Sequence, residues 1–404
     1  MMPLQSLAEV QAGTGRERLR IAVLNRTFSP VGGGAERYSI AMVEQLASRH
    51  EIHVFAQEID HNWPGVAYHR ITVPLRRPRW VNQLWFAFAT WRATRRGFDV
   101  VHSHENTWHG NVQTVHVVPV KYNLFQGRTG ARRALRWLKV ATSPRLLAYL
   151  LLERARCAAH PDRLIVVTSD NLKSVMEQAY PASGPMIRVI TPGITMPDSP
   201  VTQTSRNDAR AKLGLPAEGR CILFVANDYR KKGLEALLAA LARMPGDVFL
   251  VVAGNSAPIS SFRGQAAKND LITRVFFMGA VKNIGVAYEA ADCLAHPTLE
   301  DTFAMVVLES MAHGVPVIVS GPKYCGISGL LEAGINAIIL DDPRDASALT
   351  TAILEVLDRP DFAARLAKEA VAFAKRYQWG ELAMVQESLY FDVARQQASK
   401  VQDA

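Results

Sequence analysis

The sequence predicts an α/β protein with two Rossmann-like domains that face each other across a cleft. The chain has 404 residues, more than one hydrophobic core usually organises, so about 100–200 residues per domain predicts two or three domains. Short apolar runs rich in β-branched residues alternate with amphipathic stretches, the pattern of βα units around a parallel sheet. The pattern stops at a polar, proline-rich stretch and then restarts, which indicates two α/β halves of similar size. In such domains ligands bind at the carboxyl ends of the strands, where loops meet helix N-termini.

The individual elements follow from the positions of the apolar runs. Strands of the first sheet are predicted at 19–24, 51–55, 68–73, 100–104, 113–118, 164–168 and 188–191. The main helices between them are predicted at 35–49, 82–95, 131–159 (interrupted at Pro144) and 169–180. The polar stretch 191–219, with four prolines, is predicted to be a linker. Strands of the second sheet are predicted at 221–226, 248–253, 275–278, 293–296, 317–319 and 337–340.

The composition excludes several classes of protein. With 49% hydrophobic and 21% charged residues the chain is globular, not disordered or collagen-like. Its four cysteines are too few and too scattered for a disulfide framework or a zinc ribbon, which favours a reducing cytoplasm. The N-terminus lacks a basic start followed by an apolar stretch, and eighteen apolar residues never run together, so we expect neither an export signal nor a membrane span.

Positive charge is concentrated in the first half of the chain. The formal net charge is +9, and residues 70–96 contain seven arginines and no acid. Residues 121–163 contain ten Lys or Arg against two acids, and six of the seven tryptophans also lie in this half. This pattern indicates a basic, aromatic surface that faces an anionic partner, with phosphate-rich lipid and nucleic acid as the candidates.

A glycine-rich turn follows the first predicted strand. The sequence Gly32-Gly33-Gly34-Ala35-Glu36-Arg37 opens a helix, so its backbone can approach a ligand closely, adopt positive φ and aim helix N–H groups at the ligand. An ordinary strand-to-helix turn is the alternative. The sequence is neither G-x-G-x-x-G nor a P-loop, so a dehydrogenase and a P-loop NTPase are disfavoured.

A cationic turn occupies the corresponding position in the second half. Arg230, Lys231 and Lys232 lie between a strand and the helix that begins after Gly233. Three cations at a helix N-terminus make an anion site, and Gly233 permits a close approach. A solvated charged loop is the alternative.

The segment 296–317 is the most informative. Asp301 follows a strand, and the next stretch predicts a helix that is almost wholly apolar except for Glu309. Such a helix is buried, so the ionised Glu309 carboxylate needs hydrogen-bond donors. Asp301 is alternatively the N-cap of the helix. Eight residues at about 1.5 Å each place the carboxylates about 12 Å apart, which suits the two ends of one elongated ligand better than a single hydrolysed bond.

Asp301 and Glu309, with seven residues between them, resemble the acid-x7-acid motif of the retaining GT-B glycosyltransferases of family four. The resemblance covers about residues 20–395 and is strongest from 220 to 340; it includes the segment 297–317, the stretch 99–105, the glycine-rich turn, Lys232-Gly233 and the Trp379 helix. It implies the GT-B fold with an acceptor-binding domain at 1–195, a nucleotide-sugar-binding domain at 196–377 and a C-terminal helix at 378–404 that crosses back onto the first domain.

The resemblance also implies roles for particular residues. Glu309 binds the nucleotide ribose, Asp301 lies by the donor sugar, and Lys232 holds the diphosphate. Gly33-Gly34 line the cleft. His104 matches a family histidine near the sugar and the acceptor, with an ordinary strand-end histidine as the alternative.

The sequence departs from the family pattern at three places that concern the donor. One is Gly326-Ile327-Ser328-Gly329, which stands where many members have a glutamate after Gly-Ile-Pro, so a donor assignment taken from the wider family is weakened. Asp301 replaces the usual glutamate, so Glu300 beside it is a second candidate for that role. Asn227 stands where the family usually has an arginine five residues before the lysine, so phosphate contact falls to Arg230 or Lys231. The chain contains no D-x-D, so we expect no metal and no other cofactor.

Short matches in the second half look most like the branch of the family that adds glucose to heptose in the lipopolysaccharide inner core. The expected function is retaining transfer of a hexose, with UDP-glucose as the expected donor, to an anionic lipid-linked or lipopolysaccharide core acceptor. We expect a cytoplasmic protein that is peripherally bound to the inner face of the membrane.

Two alternatives remain. One is a sugar-nucleotide epimerase of the same fold, and the other is a basic membrane- or nucleic-acid-binding protein with a vestigial site. No RNA-binding or helix-turn-helix pattern supports nucleic acid as a partner.

Overall fold

The computed structural model describes residues 18–30, 33–75, 77–257 and 259–402, so Gly32 of the glycine-rich turn lies outside the described residues. The chain forms two parallel β-sheets with helices packed on them, which confirms the predicted α/β class with two Rossmann-like domains. The predicted strands agree with the observed ones to within a few residues.

The first sheet has seven parallel strands in the order β5-β3-β1-β6-β7-β8-β9. They are β1 (Arg20–Leu24), β3 (Glu51–Ala56), β5 (Val66–Arg70), β6 (Val100–Ser103), β7 (Val112–Val115), β8 (Leu164–Val167) and β9 (Ile187–Val189). The short strands β2 (Thr27–Phe28) and β4 (Glu58–Ile59) form a separate pair that the sequence did not predict. The central strands are buried along most of their length, because helices cover both faces of the sheet.

The helices of the first half pack around this sheet. They are α1 (Gly34–Leu46), α2 (Arg79–Thr94), α3 (Val120–Phe125), α4 (Gly130–Ala141), α5 (Pro144–Arg156) and α6 (Asp170–Ala179). The predicted helix 131–159 is interrupted at Pro144 as expected, because Ser143 caps a new helix that has Pro144 in its first turn.

The second sheet has six parallel strands in the order β12-β11-β10-β13-β14-β15. They are β10 (Arg220–Ala226), β11 (Val248–Gly254), β12 (Val275–Gly279), β13 (Cys293–His296), β14 (Val317–Ser320) and β15 (Ile338–Leu340). The surrounding helices are α8 (Leu234–Leu241), α9 (Ile259–Lys268), α10 (Gly285–Ala290), α11 (Met305–Ala312), α12 (Ala346–Leu357) and α13 (Pro360–Ala374).

The prediction that 191–219 is only a linker is wrong, because this stretch contains helix α7 (Gln203–Lys212). The helix is strongly polar, so it has no apolar periodicity to reveal it. A capping box between Thr202 and Ser205 fixes its start.

The last helix, α14 (Trp379–Gln402), packs against α1 and the core of the first domain. Trp379 and Tyr390 lie in that core, and Arg49 forms an ion pair with Glu387 of α14 at 2.8 Å. The two segments that connect the domains also meet, since Ile194 donates to Tyr377 and accepts from Trp379.

Candidate active site at the interdomain cleft

Both sheets have the strand order in which the direction of winding reverses next to the first strand. The reversal lies between β1 and β6 in the first sheet and between β10 and β13 in the second. Ligands of open α/β sheets bind outside the carboxyl ends of the strands at this point. The glycine-rich turn and His104 follow β1 and β6, and the cationic turn and Asp301 follow β10 and β13. Every residue predicted to contact the donor therefore lies in a segment that follows one of these four strands, except Glu309, which lies on α11.

Glu309 is buried in α11, with 6% of its surface exposed. The hydroxyl of Tyr288 on α10 donates to Glu309 Oε2 at 2.7 Å, and Arg37 Nη1 donates to Oε1 at 2.7 Å. The prediction that this carboxylate needs donors is confirmed. One donor comes from the second domain and the other from the first, so Glu309 lies at the boundary between the domains.

Asp301 is held by two sets of donors. Its Oδ1 accepts the backbone N–H groups of Phe303 and Ala304, and its Oδ2 accepts from Lys232 Nζ at 2.7 Å and contacts His296 Nε2 at 3.2 Å. Burial alone raises the pKa of the Asp301 carboxyl, but the hydrogen bond from His296 and the charge of Lys232 outweigh it and hold that pKa below its usual value. Asp301 is therefore an ionised carboxylate at the edge of the cleft.

The alternative that Asp301 is the N-cap of α11 is wrong, because Ala304 occupies that position. Ala304 has φ 72°, a left-handed conformation that a non-glycine residue rarely adopts. Asp301 Oδ1 accepts a hydrogen bond from the N–H of Ala304 and so stabilises this turn.

The three cations that follow β10 point in different directions. Lys232 reaches Asp301 and the carbonyl of Glu300, whereas Lys231 pairs with the exposed Glu300 carboxylate at 3.1 Å. Arg230 is exposed and pairs with Glu235 at 3.2 Å. Of the three, Lys232 is the cation that the structure brings to the more buried carboxylate.

Gly233 is required where the cationic turn joins α8. It has φ 83°, and a Cβ there would lie 1.9 Å from the carbonyl oxygen of Pro297. The group that approaches Gly233 closely is therefore backbone of the chain, and the approach of a ligand at this glycine stays a prediction. This contact places the cationic turn against the segment that carries Asp301.

Gly33 and Gly34 line the turn opposite α11, but the expectation of positive φ is wrong for both. Gly33 is the N-cap of α1 with φ −77°, and Gly34 is the first helical residue. A Cβ on Gly34 would lie 4.0 Å from Met305 Cγ, an ordinary contact distance. Gly34 therefore lies next to α11, but a side chain would fit there, and the backbone conformation requires a glycine at neither position.

His104 follows β6 and lies beside two other histidines, the buried His102 within β6 and the half-buried His116 after β7. Its Nδ1 lies 3.0 Å from His116 Nε2, and its ring packs on His102, which hydrogen-bonds to Tyr390 of α14. Burial lowers the pKa of His104 well below 6.5, and the pKa of His102 and of His116 to about 3. The three imidazoles are therefore neutral at physiological pH, so His104 can exchange hydrogen bonds with a ligand but supplies no charge.

The segment between the two acids also contacts the first domain. Thr302 donates its hydroxyl proton to the carbonyl of His116 at 2.9 Å, and Ser169 donates to the carbonyl of Thr302 at 2.7 Å. The chain next to Asp301 is thus attached to the strand end that carries the partner of His104.

No role was predicted for four residues that complete this geometry. Arg37 and Tyr288 hold Glu309, His296 holds Asp301, and His116 pairs with His104. Two of them had a local signal, because Arg37 ends the glycine-rich turn and His296 ends the strand before Asp301. Tyr288 and His116 had none.

Two family models match the chain, one for each domain. The model described as Glycosyltransferase Family 4 matches residues 32–196, and the model described as Glycosyl transferases group 1 matches residues 205–373.

The most similar relatives include several D-inositol 3-phosphate glycosyltransferases. The chain is 27% identical to that of Xylanimonas cellulosilytica over 252 residues, which span 60% of each protein. It is 29% identical to that of Thermobispora bispora over 241 residues, or 55% of this chain and 54% of the relative. The match to that of Corynebacterium diphtheriae is longer, at 25% identity over 329 residues, which are 76% of this chain and 73% of the relative.

Solved structures show the same fold. WaaG, a glycosyltransferase involved in lipopolysaccharide biosynthesis, superposes with a TM-score of 0.79 at 20% identity, over 92% of this chain and 99% of WaaG. Sucrose-phosphate synthase from Thermosynechococcus elongatus gives a TM-score of 0.75 at 24% identity, over 93% and 99%. HepE from Anabaena, in complex with UDP-glucose, gives a TM-score of 0.72 at 19% identity, over 95% and 100%.

The fold and the paired domains define the class, a glycosyltransferase of the GT-B type. Within that class, the first half of the chain matches the family 4 model and the second half matches the group 1 model. The predicted fold class and enzyme class are confirmed. The relatives named above are inositol phosphate enzymes, so the sequence comparisons do not single out the lipopolysaccharide branch.

Two further observations concern metals and membranes. In the described ranges, no three His, Cys, Asp or Glu side chains form a group that could hold a metal ion. The expectation that the reaction needs no metal stays a prediction. None of the helices in the described part of the chain is both long enough and apolar enough to span a membrane.

Proposed function

We propose that the protein transfers a hexose from a nucleoside diphosphate sugar to an anionic acceptor and retains the anomeric configuration. The observation that carries this proposal is the placement of two carboxylates and one lysine at the second domain's edge of the cleft. Glu309 is buried and holds two donors, while Asp301 and Lys232 form an ion pair at 2.7 Å. This arrangement supports binding the ribose at Glu309, the hexose beside Asp301 and the diphosphate at Lys232.

The reaction breaks the bond between the anomeric carbon and the diphosphate oxygen and forms a bond to an acceptor hydroxyl oxygen. The hydroxyl proton leaves with the diphosphate, which gains negative charge as the bond breaks. The ammonium of Lys232 stabilises that charge, and it is already fixed in place by Asp301 and the carbonyl of Glu300. The neutral imidazole of His104 accepts or donates a hydrogen bond on the opposite side of the cleft.

The donor and the acceptor are proposed by class. HepE was solved with UDP-glucose, which makes UDP-glucose the first donor to test. The acceptor carries phosphate, because the first half of the chain is strongly basic. A lipopolysaccharide core and a lipid-linked sugar both fit this description. WaaG is involved in lipopolysaccharide biosynthesis, and the D-inositol 3-phosphate glycosyltransferases are named for a phosphorylated polyol.

Mass spectrometry of the native protein with a panel of UDP, GDP and ADP sugars tests the donor proposal. We expect one sugar nucleotide to bind at one per chain and to be consumed when a phosphorylated acceptor is added. A product that carries a new glycosidic bond supports transfer, whereas an isomerised sugar nucleotide with no new bond would indicate an epimerase. Failure of every sugar nucleotide to bind would contradict the proposal.

We also propose that the first domain rests on the inner, cytoplasmic face of an anionic membrane. Helix α4 is exposed along almost its whole length, and it combines cations with Leu135, Trp137 and Leu138, which are 65%, 53% and 61% exposed. On α2, Trp85, Phe88 and Trp91 are also exposed, spaced three residues apart on one face. Exposed apolar side chains beside arginines suit the boundary between lipid headgroups and acyl chains.

Vesicle sedimentation tests this surface. Each basic side chain near an anionic bilayer contributes about 1 kcal/mol, so we expect binding to anionic vesicles to exceed binding to neutral ones and to fall as salt rises. Replacing Arg132, Arg133 and Arg136 of α4 by alanine is expected to weaken binding.

A matched control removes three exposed cations from the second domain, Lys268, Arg365 and Lys375. This control changes the net charge equally, so equal loss of binding in both variants would show that net charge alone attracts the protein. Absence of any preference for anionic vesicles at low salt would contradict a membrane role.

A further inference from the structure

The first turn of α1 lies directly against α11 across the domain boundary. Gly34 faces Met305, and one turn further along each helix Arg37 Nη1 contacts Glu309 Oε1 at 2.7 Å. Gly34 and Arg37 are three residues apart, and Met305 and Glu309 are four apart, so each pair shares one helix face. Two successive turns of each helix therefore take part in the contact, and it does not depend on the Arg37 side chain alone.

The Glu309 carboxylate depends on both domains for its partners. Its own domain supplies the neutral hydroxyl of Tyr288, whereas the first domain supplies the positive charge of Arg37. A buried carboxylate is costly unless it is paired and hydrogen-bonded. A carboxylate accepts about four hydrogen bonds, so these two donors leave room for the two hydroxyls of a ribose.

We propose that Arg37 is a positioning residue of the donor site: it compensates and orients Glu309 so that the carboxylate can accept the ribose hydroxyls of a nucleoside diphosphate. This inference rests on the proposed function, in which Glu309 binds the ribose. Its consequence is that the nucleotide site, although built on the second domain, is complete only when α1 of the first domain is docked. Nucleotide binding and the docking of the two domains then favour each other.

A competing arrangement makes the opposite prediction. If Arg37 instead occupied the place of the ribose, the ion pair would lock the site and the nucleotide would have to displace it. Removing Arg37 would then tighten nucleotide binding, whereas loss of a positioning residue weakens it. Whether nucleotide affinity falls or rises when Arg37 is removed therefore distinguishes a positioning role from a blocking one.

Isothermal titration of the full chain with UDP, GDP and ADP provides the measurement, and the nucleotide that the wild type binds most tightly is carried forward. Arg37→Ala is expected to weaken its binding about tenfold, the effect of one charged contact, and Arg37→Lys to recover part of the loss. The matched control is Arg49→Ala, which removes another ion pair between the first domain's α1 region and a buried glutamate, away from the cleft. It is expected to leave the affinity within about twofold.

A double-mutant cycle shows whether Arg37 acts through Glu309. The double variant Arg37→Ala with Glu309→Gln is expected to bind no more than about twofold more weakly than Glu309→Gln alone. Additive losses, unchanged affinity in Arg37→Ala or tighter binding would overturn the inference. Should Arg37→Ala fail to fold, Arg37→Gln is measured against the same limits.

The same set of variants separates this inference from the proposed function. If Glu309→Gln binds the nucleotide as tightly as the wild type, or if the wild type binds none of the three nucleotides, the ribose role of Glu309 is wrong. If Glu309→Gln weakens binding and Arg37→Ala does not, only the role of Arg37 is wrong.

Discussion

Replacing Asp301 by asparagine distinguishes two roles of this residue, its hydrogen bonds to the turn before α11 and its ion pair with Lys232. An amide oxygen can still accept the N–H groups of Phe303 and Ala304, so the turn before α11 is preserved. The amide nitrogen cannot accept a hydrogen bond from Lys232, which approaches Oδ2 at 2.7 Å in the wild type. Asp301→Asn therefore keeps the shape of the segment and releases Lys232 from its charged partner.

The size of the effect follows from that lost contact. A hydrogen bond to a charged group contributes about 1.5–3 kcal/mol. Because Lys232 is 20% exposed, solvent screens part of this, and we expect the second domain to lose about 1–2 kcal/mol of stability. If Asp301 lies by the donor sugar, turnover falls about ten- to hundredfold, while nucleotide affinity changes by less.

Three measurements on the same protein check this prediction: thermal unfolding, release of nucleoside diphosphate from the donor, and nucleotide titration. The matched control is Glu300→Gln, which alters the neighbouring exposed acid that pairs with Lys231. We expect Glu300→Gln to retain most of the turnover. Loss of stability with unchanged turnover in Asp301→Asn would refute a role beside the sugar, and a larger loss in Glu300→Gln would assign that role to Glu300.

The remaining predictions concern the nucleotide, the diphosphate, metal and pH. Glu309→Gln is expected to weaken nucleotide binding by about 1.5–3 kcal/mol in a folded protein, since the ribose loses a charged acceptor; equal affinity by calorimetry would contradict the ribose role. Lys232→Ala removes the same ion pair with Asp301, so it is expected to lower turnover and also to cost about 1–2 kcal/mol of stability; a loss of stability with unchanged turnover would make Lys232 structural. Activity is expected to persist in excess EDTA, so complete and reversible loss would reveal a metal requirement. The pKa values of His102, His104 and His116 are lowered in the folded protein, to about 3 for His102 and His116. As the pH falls below about 6.5, the unfolded chain therefore binds protons at these residues before the folded chain does. The free energy of unfolding is therefore unaffected by these histidines above about pH 6.5 and decreases as the pH falls towards 3. A melting temperature independent of pH between 7 and 5 would contradict this burial.

The sheets could be predicted from the sequence because their strands are buried on both faces and therefore read as continuous apolar runs. The predicted strand at 221–226, for example, differs from β10 by one residue. Helix α7 could not be predicted in the same way, since its residues are polar and the prolines around it indicate a linker. Its evidence is a hydrogen-bonding pattern between Thr202 and Ser205, which composition does not reveal.

The candidate site was predictable where its residues lie close together in the chain. Asp301, Glu309 and Lys232 stand in short segments with a strong pattern, and the structure brings Asp301 and Lys232 into contact. The pairing of Arg37 with Glu309 joins residues 272 positions apart, and no local pattern encodes such a contact. The backbone conformation of Gly33 was also beyond prediction, because a glycine permits positive φ without requiring it.

The stereochemistry of transfer is the sharpest test of the proposed reaction. The protein is incubated with UDP-glucose, or with the sugar nucleotide that it binds, together with a phosphorylated acceptor, and the new glycosidic bond is followed by NMR from the first turnovers. We expect a product with the same anomeric configuration as the donor, and a much slower reaction in Asp301→Asn than in Glu300→Gln. A product of inverted configuration, or binding of a sugar nucleotide without transfer to any phosphorylated acceptor, would contradict the proposed reaction.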